Sequence, residues 1–166
     1  MNLAKRAVLP CLIGLALAAI APSQAQLADK KALTLQIAKQ VAAAAEQQAA
    51  ASHLHMFVLI VDDGGNLMYL ERMDDAQLGS FEVALAKARS AVYFKRPTKM
   101  FEDAVMQHGY NPVLKVPGAM PIEGGIPLSV DGQIVGAIGV SGGTPQEDGK
   151  AAQAGADAFP GIVQAH

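Results

Sequence analysis

The chain has 166 residues, a formal net charge of −2 and a composition that is 51% hydrophobic and 17% charged. That balance fills one sizeable core, and the lack of any basic run excludes a dedicated nucleic-acid binder, which needs clustered Lys and Arg against phosphate. The single cysteine, Cys11, excludes a disulfide framework.

Residues 1–25 read as a secretory signal peptide. Lys5 and Arg6 form the basic start, Ala7 to Ala21 carry no charge, and Ser23-Gln24-Ala25 is a small-x-small cleavage site. The apolar run is 15 residues long, short of the roughly 20 that span a bilayer. Cleavage after Ala25 removes Cys11 and two cations with no acid, so the expected product is periplasmic or secreted, thiol-free, mildly acidic and free of membrane segments. Residues 26–32 then form a flexible lead-in, 33–159 one domain, and 160–166 a fraying tail.

Thr34 caps the first expected helix, with Ile37, Val41 and Ala44 on one face and an alanine-rich second half. The unbroken apolar run Met56 to Val61, ending at Asp62, predicts a strand buried on both faces. Asp63-Gly64-Gly65-Asn66 turns the chain, and Leu67 to Arg72 returns as its hairpin partner. Ser80 is expected to cap a second helix whose apolar stripe runs Phe81, Leu85, Ala88 and Val92. Pro97 ends it, and Thr98 can cap a third helix reaching about Gly109. Three prolines and three glycines between Tyr110 and Gly125 predict a structured loop with a short strand near Ala119 to Ile122. Asp131-Gly132 is a strong two-residue hairpin signal between Ile126–Val130 and Gln133–Val140. Gly136 and Gly139 inside the second of these strands need another backbone or a ligand close by to explain them. Thr144-Pro145-Gln146-Glu147 is a capping box with proline at the first helical position, opening a last helix to about Phe159.

The order helix, hairpin, two helices, hairpin, helix predicts an α/β protein in the α+β sense, with a single antiparallel sheet covered by helices.

Several motifs carry possible chemistry. Gly139-Val140-Ser141-Gly142-Gly143 matches the G-x-S-x-G nucleophile elbow, but only the terminal His166 follows it, so a hydrolase triad cannot be completed. The same glycines before a helix start can instead receive an anion. His53 and His55 are a two-imidazole pair without a fixed third metal ligand, and His108, expected at the end of the third helix, is a candidate iron ligand. Tyr93-Phe94-Lys95-Arg96-Pro97-Thr98 groups two aromatics, two cations and a hydroxyl at a helix break. That set suits a flat apolar ligand bearing carboxylates, or else forms an ordinary helix corner. Glu123, between Ile122 and two glycines, is the best general acid or base.

Ordered blocks across residues 33–158 resemble one known family. They include VDDGG at 61–65, RMD at 72–74, KAR at 87–89, FKRPT at 94–98, PGAMPIEGGIP at 117–127 and DGQIVGAIGVSGGTPQED at 131–148. The chain resembles the GlcG/HbpS-like haem-binding family, which also resembles the C-terminal domain of corrinoid adenosyltransferases. The resemblance implies a profilin- or PAS-like α-β-α sandwich, assembly into homo-oligomers, and haem or a related tetrapyrrole as ligand, ahead of a corrinoid. It implies an exported ligand-binding protein in haem or iron handling, rather than an enzyme. Thr98, Phe94 and Arg96, with Lys95 and Tyr93 beside them, match the family's haem-contacting region. The matched blocks contain no histidine, so weak or oxygen-side ligation of the iron at a subunit interface fits the resemblance better than strong axial ligation. The alternative is an enzyme or accessory protein of small hydroxy- or keto-acid catabolism that uses Glu123.

Overall fold

The computed structural model describes residues 29–165, so the expected signal peptide, residues 26–28 of the lead-in and His166 lie outside the described part. The elements are α1 (Leu35–Ala51), β1 (Phe57–Asp62), β2 (Leu67–Arg72), α2 (Ser80–Phe94), α3 (Lys99–Met106), a 3-10 turn (Asn111–Lys115), β3 (Gly125–Val130), β4 (Gln133–Ser141) and α4 (Pro145–Gln164). The strands form one antiparallel sheet in the order β2-β1-β4-β3.

This order explains the apolar run of β1. As an inner strand it is covered twice: Val58 and Ile60 join the core beneath α1 and α4, while Phe57, Leu59 and Val61 join the core beneath α2. The result is the expected α-β-α sandwich. The alanines of α1 let α4 approach until a β-carbon at Gly155 would lie 2.9 Å from the Val41 carbonyl. On the opposite face, a β-carbon at Gly139 would stand 2.1 Å from the Ala84 carbonyl, so the strand glycine admits the backbone of α2.

Local signals placed most boundaries. Thr34 Oγ1 accepts from Ile37 N, and the Thr144–Glu147 capping box is complete. Asp131 and Gly132 have φ of 50° and 76°, the left-handed pair of a type I′ hairpin turn. Asp62 Oδ1 ties the first hairpin turn by accepting from Gly64 N and Asn66 N. Burial alone would raise the Asp62 pKa, but these bonds outweigh it and hold the carboxyl below 3.8.

Four expectations are corrected. Ser80 is the first residue of α2 rather than its cap; its buried hydroxyl accepts from Gln77 Nε2. Thr98 precedes α3 but makes no side-chain cap bond, because its hydroxyl turns to β3. Residues 119–122 form no strand: Met120 N donates to Ser90 Oγ and Glu123 N to Glu102 Oε2, so side chains occupy the N–H groups a ladder would use. α4 runs through Pro160 to Gln164 instead of fraying after Phe159, since Phe159 is buried and Ile162 and Val163 pack on the same core. That burial outweighs the one helical hydrogen bond that proline forfeits. Part of the lead-in is also tied down, with Lys30 paired to Asp63 and Lys31 to Asp131.

Candidate functional site

The break between α2 and α3 does not gather its aromatics and cations into one slot. Lys95 ends α2 in the left-handed region (φ 54°), its N–H returning to the Ala91 and Val92 carbonyls, and its side chain borders the two hairpin turns near Asp63 and Asp131. Tyr93 is 53% exposed, with its ring against Gly65 of the first hairpin turn and against Gly118. Phe94 meets Phe101 edge-on at 5.1 Å, and the Arg96 guanidinium lies 5.6 Å over the Phe101 ring while its Nε donates to the Phe94 carbonyl. These two residues therefore brace α3 from behind. Thr98 is fully buried: its N–H donates to the Gly125 carbonyl and its Oγ1 accepts from Gly125 N, both near 3.0 Å.

Two residues before that latch, Glu123 reaches a cleft between α3 and α4. An opening of about 440 Å³ lies between α3 and α4, walled by Pro97, Met100 and Ile126 and crossed by Lys99, Asp103, Glu123, Lys150 and Gln153. The volume falls in the usual range for small-molecule sites, and the lining is mainly apolar with a few charged groups. The Glu123 side chain is 19% exposed and lies on Gly149, where a β-carbon would come within 2.2 Å of Oε1. Gly149 sits inside a helix with no positive φ to explain it, so its missing side chain is accounted for by the carboxylate above it. The nearest cation is Lys99, whose Nζ is 3.6 Å from Glu123 Oε2 and 3.0 Å from Asp103 Oδ1. The Asp103 carboxylate first, then Glu123, hold the Lys99 pKa above 10.5. Among the described residues no donor comes within hydrogen-bond distance of the Glu123 carboxylate.

Behind the cleft floor, α2 and α4 are joined by a buried ion pair. Lys87 Nζ donates to Asp148 Oδ2 at 2.6 Å and to the Val140 carbonyl at 3.1 Å, and Asp148 Oδ1 accepts from Gly143 N at 2.9 Å. Burial lowers the Lys87 pKa and raises that of Asp148, each pushed toward its neutral form, while their mutual attraction opposes both shifts. Gly124, with φ 124°, passes over this pair; a β-carbon there would lie 2.9 Å from Lys87 Nζ. The pair and the Thr98 latch thus fix residues 123–125 from two sides.

The remaining sequence candidates do not converge on this cleft. His53 and His55 are exposed at the exit of α1, and His55 Nδ1 is engaged with the Asp74 carbonyl at 2.6 Å. His108 lies exposed beyond the end of α3. Among the described residues no three His, Cys, Asp or Glu side chains are grouped to hold a metal. Ser141 is the buried last residue of β4, paired with Phe57, rather than an exposed nucleophile on a turn. At the start of α4 the protein's own Asp148 and Glu147 take the N–H groups of Gly143 and Thr144, leaving those donors occupied.

Sequence reasoning passed over Lys87, Lys99, Met100, Asp148 and Lys150. One signal was present for Lys87: it interrupts the apolar face of α2 at the spacing of Ala84, Ala88 and Ala91, and a lysine there must either reach water or find a carboxylate. Asp148 gave no comparable signal, since an acid in a helix's first turn is already explained by the helix dipole.

A family model described as "Haem degrading protein HbpS-like" matches residues 33–157. Protein GlcG of Escherichia coli K12 is 38% identical over 112 residues, covering 68% of this chain and 83% of GlcG. Among solved structures, a double mutant of HbpS from Streptomyces reticuli superposes with a TM-score of 0.73 at 33% identity, covering 87% of this chain and 99% of that one. A structure described as a PduOC haem complex gives 0.69 at 32% identity, covering 77% and 95%.

Proposed function

The chain belongs to the HbpS-like family, and on that premise we propose that it is an exported haem-binding protein whose ligand enters the cleft between α3 and α4. The observation that carries the reading is an apolar-walled cleft with lysines along it, next to the FKRPT corner. Pro97, Met100 and Ile126 would contact the edge of a flat macrocycle, and Lys99 and Lys150 offer ammonium groups for its carboxylates. The cleft is open to solvent, so an inserted ring keeps an exposed edge. A corrinoid, bulkier and not flat, fits this opening less well than haem. Thr98 takes no direct part in this reading, because its oxygen is buried and already accepts from Gly125 N. Phe94 and Arg96 contribute by holding α3 in place, and Tyr93 and Lys95 lie outside the cleft. Haem, when bound, supplies a redox-active iron, and the chain's own residues bind and orient it.

Export rests on the leader-like residues 1–25, and a role in haem or iron handling on the family. Among the described residues no helix is long and apolar enough to cross a membrane. Homo-oligomerisation is part of the reading: Met106, Tyr110, Leu114 and Val116 expose apolar surface along α3 and the 3-10 turn, 79% exposed in the case of Met106. Burying such side chains is the usual reason for association. Light scattering of the mature chain tests this, and a monomer at micromolar concentration would refute it.

Hemin titrated into residues 26–166 should give a Soret shift that saturates at a fixed stoichiometry. A spectrum matching hemin mixed with an inert acidic protein would refute haem binding. A second reading, an acid–base enzyme of small hydroxy- or keto-acids, is favoured by one observation: Glu123 offers the cleft a carboxylate free of hydrogen-bond donors among the described residues. Turnover of such an acid, abolished by Glu123→Gln, would establish it.

A further inference from the structure

We propose that the outer edge of β2 docks a second copy of this chain, which adds its own β2 antiparallel across a twofold axis at Leu70. The four-stranded sheet then continues as one of eight strands. This surface is separate from the α3–α4 cleft and from the apolar surface along α3. The ladder shows which backbone groups face outward. Met73 N donates to the Met56 carbonyl, so Met56 and Met73 form a hydrogen-bonded pair that continues the β1–β2 register. Alternation makes Val58–Glu71 and Ile60–Tyr69 the next such pairs. The N–H and C=O groups of Leu70 and Arg72 therefore point away from the sheet. Among the described residues nothing is bonded to them.

The two edges of the sheet are not alike. On β3, Gly124 O accepts from Val140 N, so Gly125 and Pro127 are the residues that face outward. Gly125 is latched through both backbone groups to Thr98, and Pro127 has no N–H to offer. That edge is closed to further pairing. β2, Leu67–Arg72, carries no proline, lysine or latch. Its one irregularity lies at the turn end, opposite the Ile60–Val61 step, and leaves Tyr69 to Arg72 in regular register. An edge left open in this way is a template for another strand.

The face beside this edge is bare as well. Directly paired residues share a face of the sheet, so Leu70, opposite Leu59, and Leu67, opposite Val61, lie on the α2 side. α2 packs over β1, β4 and β3. It leaves Leu70 37% and Leu67 43% exposed.

The sequence of the strand selects its own copy as the occupant. A twofold axis sets a strand antiparallel to itself, with the same patch used on both sides. Centred on Glu71 or Arg72, the axis would place two like charges directly opposite each other, which destabilises a strand pair. Centred on Tyr69, the pairing would run through the irregular step. Centred on Leu70, it joins outward-facing backbone groups and sets Leu70 against the partner's Leu70. It also sets Tyr69 against the partner's Glu71. Tyr69 already donates to Glu71 within the chain, at 2.5 Å, so the same hydroxyl and carboxylate chemistry is met again across the axis.

The test uses the full mature chain, residues 26–166, which contains no native cysteine. Leu70→Cys should give a disulfide-linked dimer under mild oxidation with copper-phenanthroline. The Cα atoms of such a pair stand about 5.5 Å apart, within disulfide reach. Leu67→Cys, similarly exposed, lies about 20 Å from its copy in this register and should remain uncrosslinked on a non-reducing gel. In light scattering, Leu70→Lys should halve the particle mass of wild type, because a charge on the edge opposes pairing. Leu70→Pro should do the same, since it removes an outward N–H that the β1–β2 ladder does not use. Circular dichroism confirms that both variants are folded. Wild-type mass in both folded variants would overturn the proposal and leave association to the α3 surface. Equal crosslinking of Leu67→Cys and Leu70→Cys would overturn it too, by showing that no register is fixed. So would a wild type that is monomeric at micromolar concentration.

Discussion

Removing the Lys87 ammonium is the sharpest test of how this site is held. In Lys87→Met the aliphatic stem is nearly matched, but Asp148, 2% exposed, loses its 2.6 Å partner and keeps only backbone donors such as Gly143 N. The Val140 carbonyl loses a donor as well. Breaking a buried pair from one side costs about 3–5 kcal/mol. That is a large part of the roughly 5–15 kcal/mol a domain of this size commands and amounts to a melting shift of roughly 10 °C or more. Urea unfolding followed by circular dichroism measures it. The pH dependence fixes the cause. Burial already raises the Asp148 pKa in the folded state above 3.8, and loss of Lys87 raises it further. The penalty of the buried charge is absent below the unfolded-state pKa and grows as pH rises toward the folded one. The deficit of Lys87→Met should therefore be larger at about pH 7 than at about pH 4. Lys87→Met with Asp148→Asn should recover part of the loss, because Asn still accepts from Gly143 N and carries no charge. A deficit under about 1 kcal/mol at neutral pH would refute the reasoning, as would a double variant no more stable than the single one.

Gly149→Ala should leave α4 folded yet displace Glu123, because the added carbon would sit 2.2 Å from Oε1; the variant should show none of the roughly 1 kcal/mol that alanine confers inside a helix, and a thermal-melting gain of that size would refute the close seat. Lys95→Gly should stabilise the protein by about 1 kcal/mol, the usual cost of a side chain in the left-handed region, since Lys95 has φ 54°; thermal melting reads the gain. Tyr69 donates to Glu71 Oε2 at 2.5 Å, and that bond first, then burial, pushes its pKa up to about 12. The stability it contributes is complete below pH 10.0 and is lost as pH rises through about 12. Spectrophotometric titration should show one late tyrosine, which Glu71→Gln returns to the normal range.

Relief of strain at Lys95 and loss of the cradle at Gly149 mark the boundary between what was legible and what was not. The hairpins, the Thr34 and Thr144 caps and the doubly buried β1 could all be read from the sequence, because each depends on residues within a few positions: a turn pair needing positive φ, a hydroxyl three residues before its N–H, an uninterrupted apolar run. Their order already implied one antiparallel sheet between helical layers. Glu123 could be singled out as an acid between glycines, but not its cleft.

The composition of the FKRPT corner was visible, but its direction was not. Whether Thr98 caps a helix or latches Gly125, 27 positions away, is decided by how β3 meets α3. Arg96 and Phe94 turn to Phe101 because an exposed helix needs bracing, a demand that arises only once α3 lies apart from the sheet. Lys87 and Asp148 are 61 positions apart and meet because α2 and α4 cover opposite faces and reach around the end of β4. Sequence determined the elements and the family pattern, since backbone conformation and hydrophobic period are local properties. Only the tertiary structure decided which charges are buried together and which carboxylate faces the cleft, since these depend on the distances that packing imposes between remote parts of the chain.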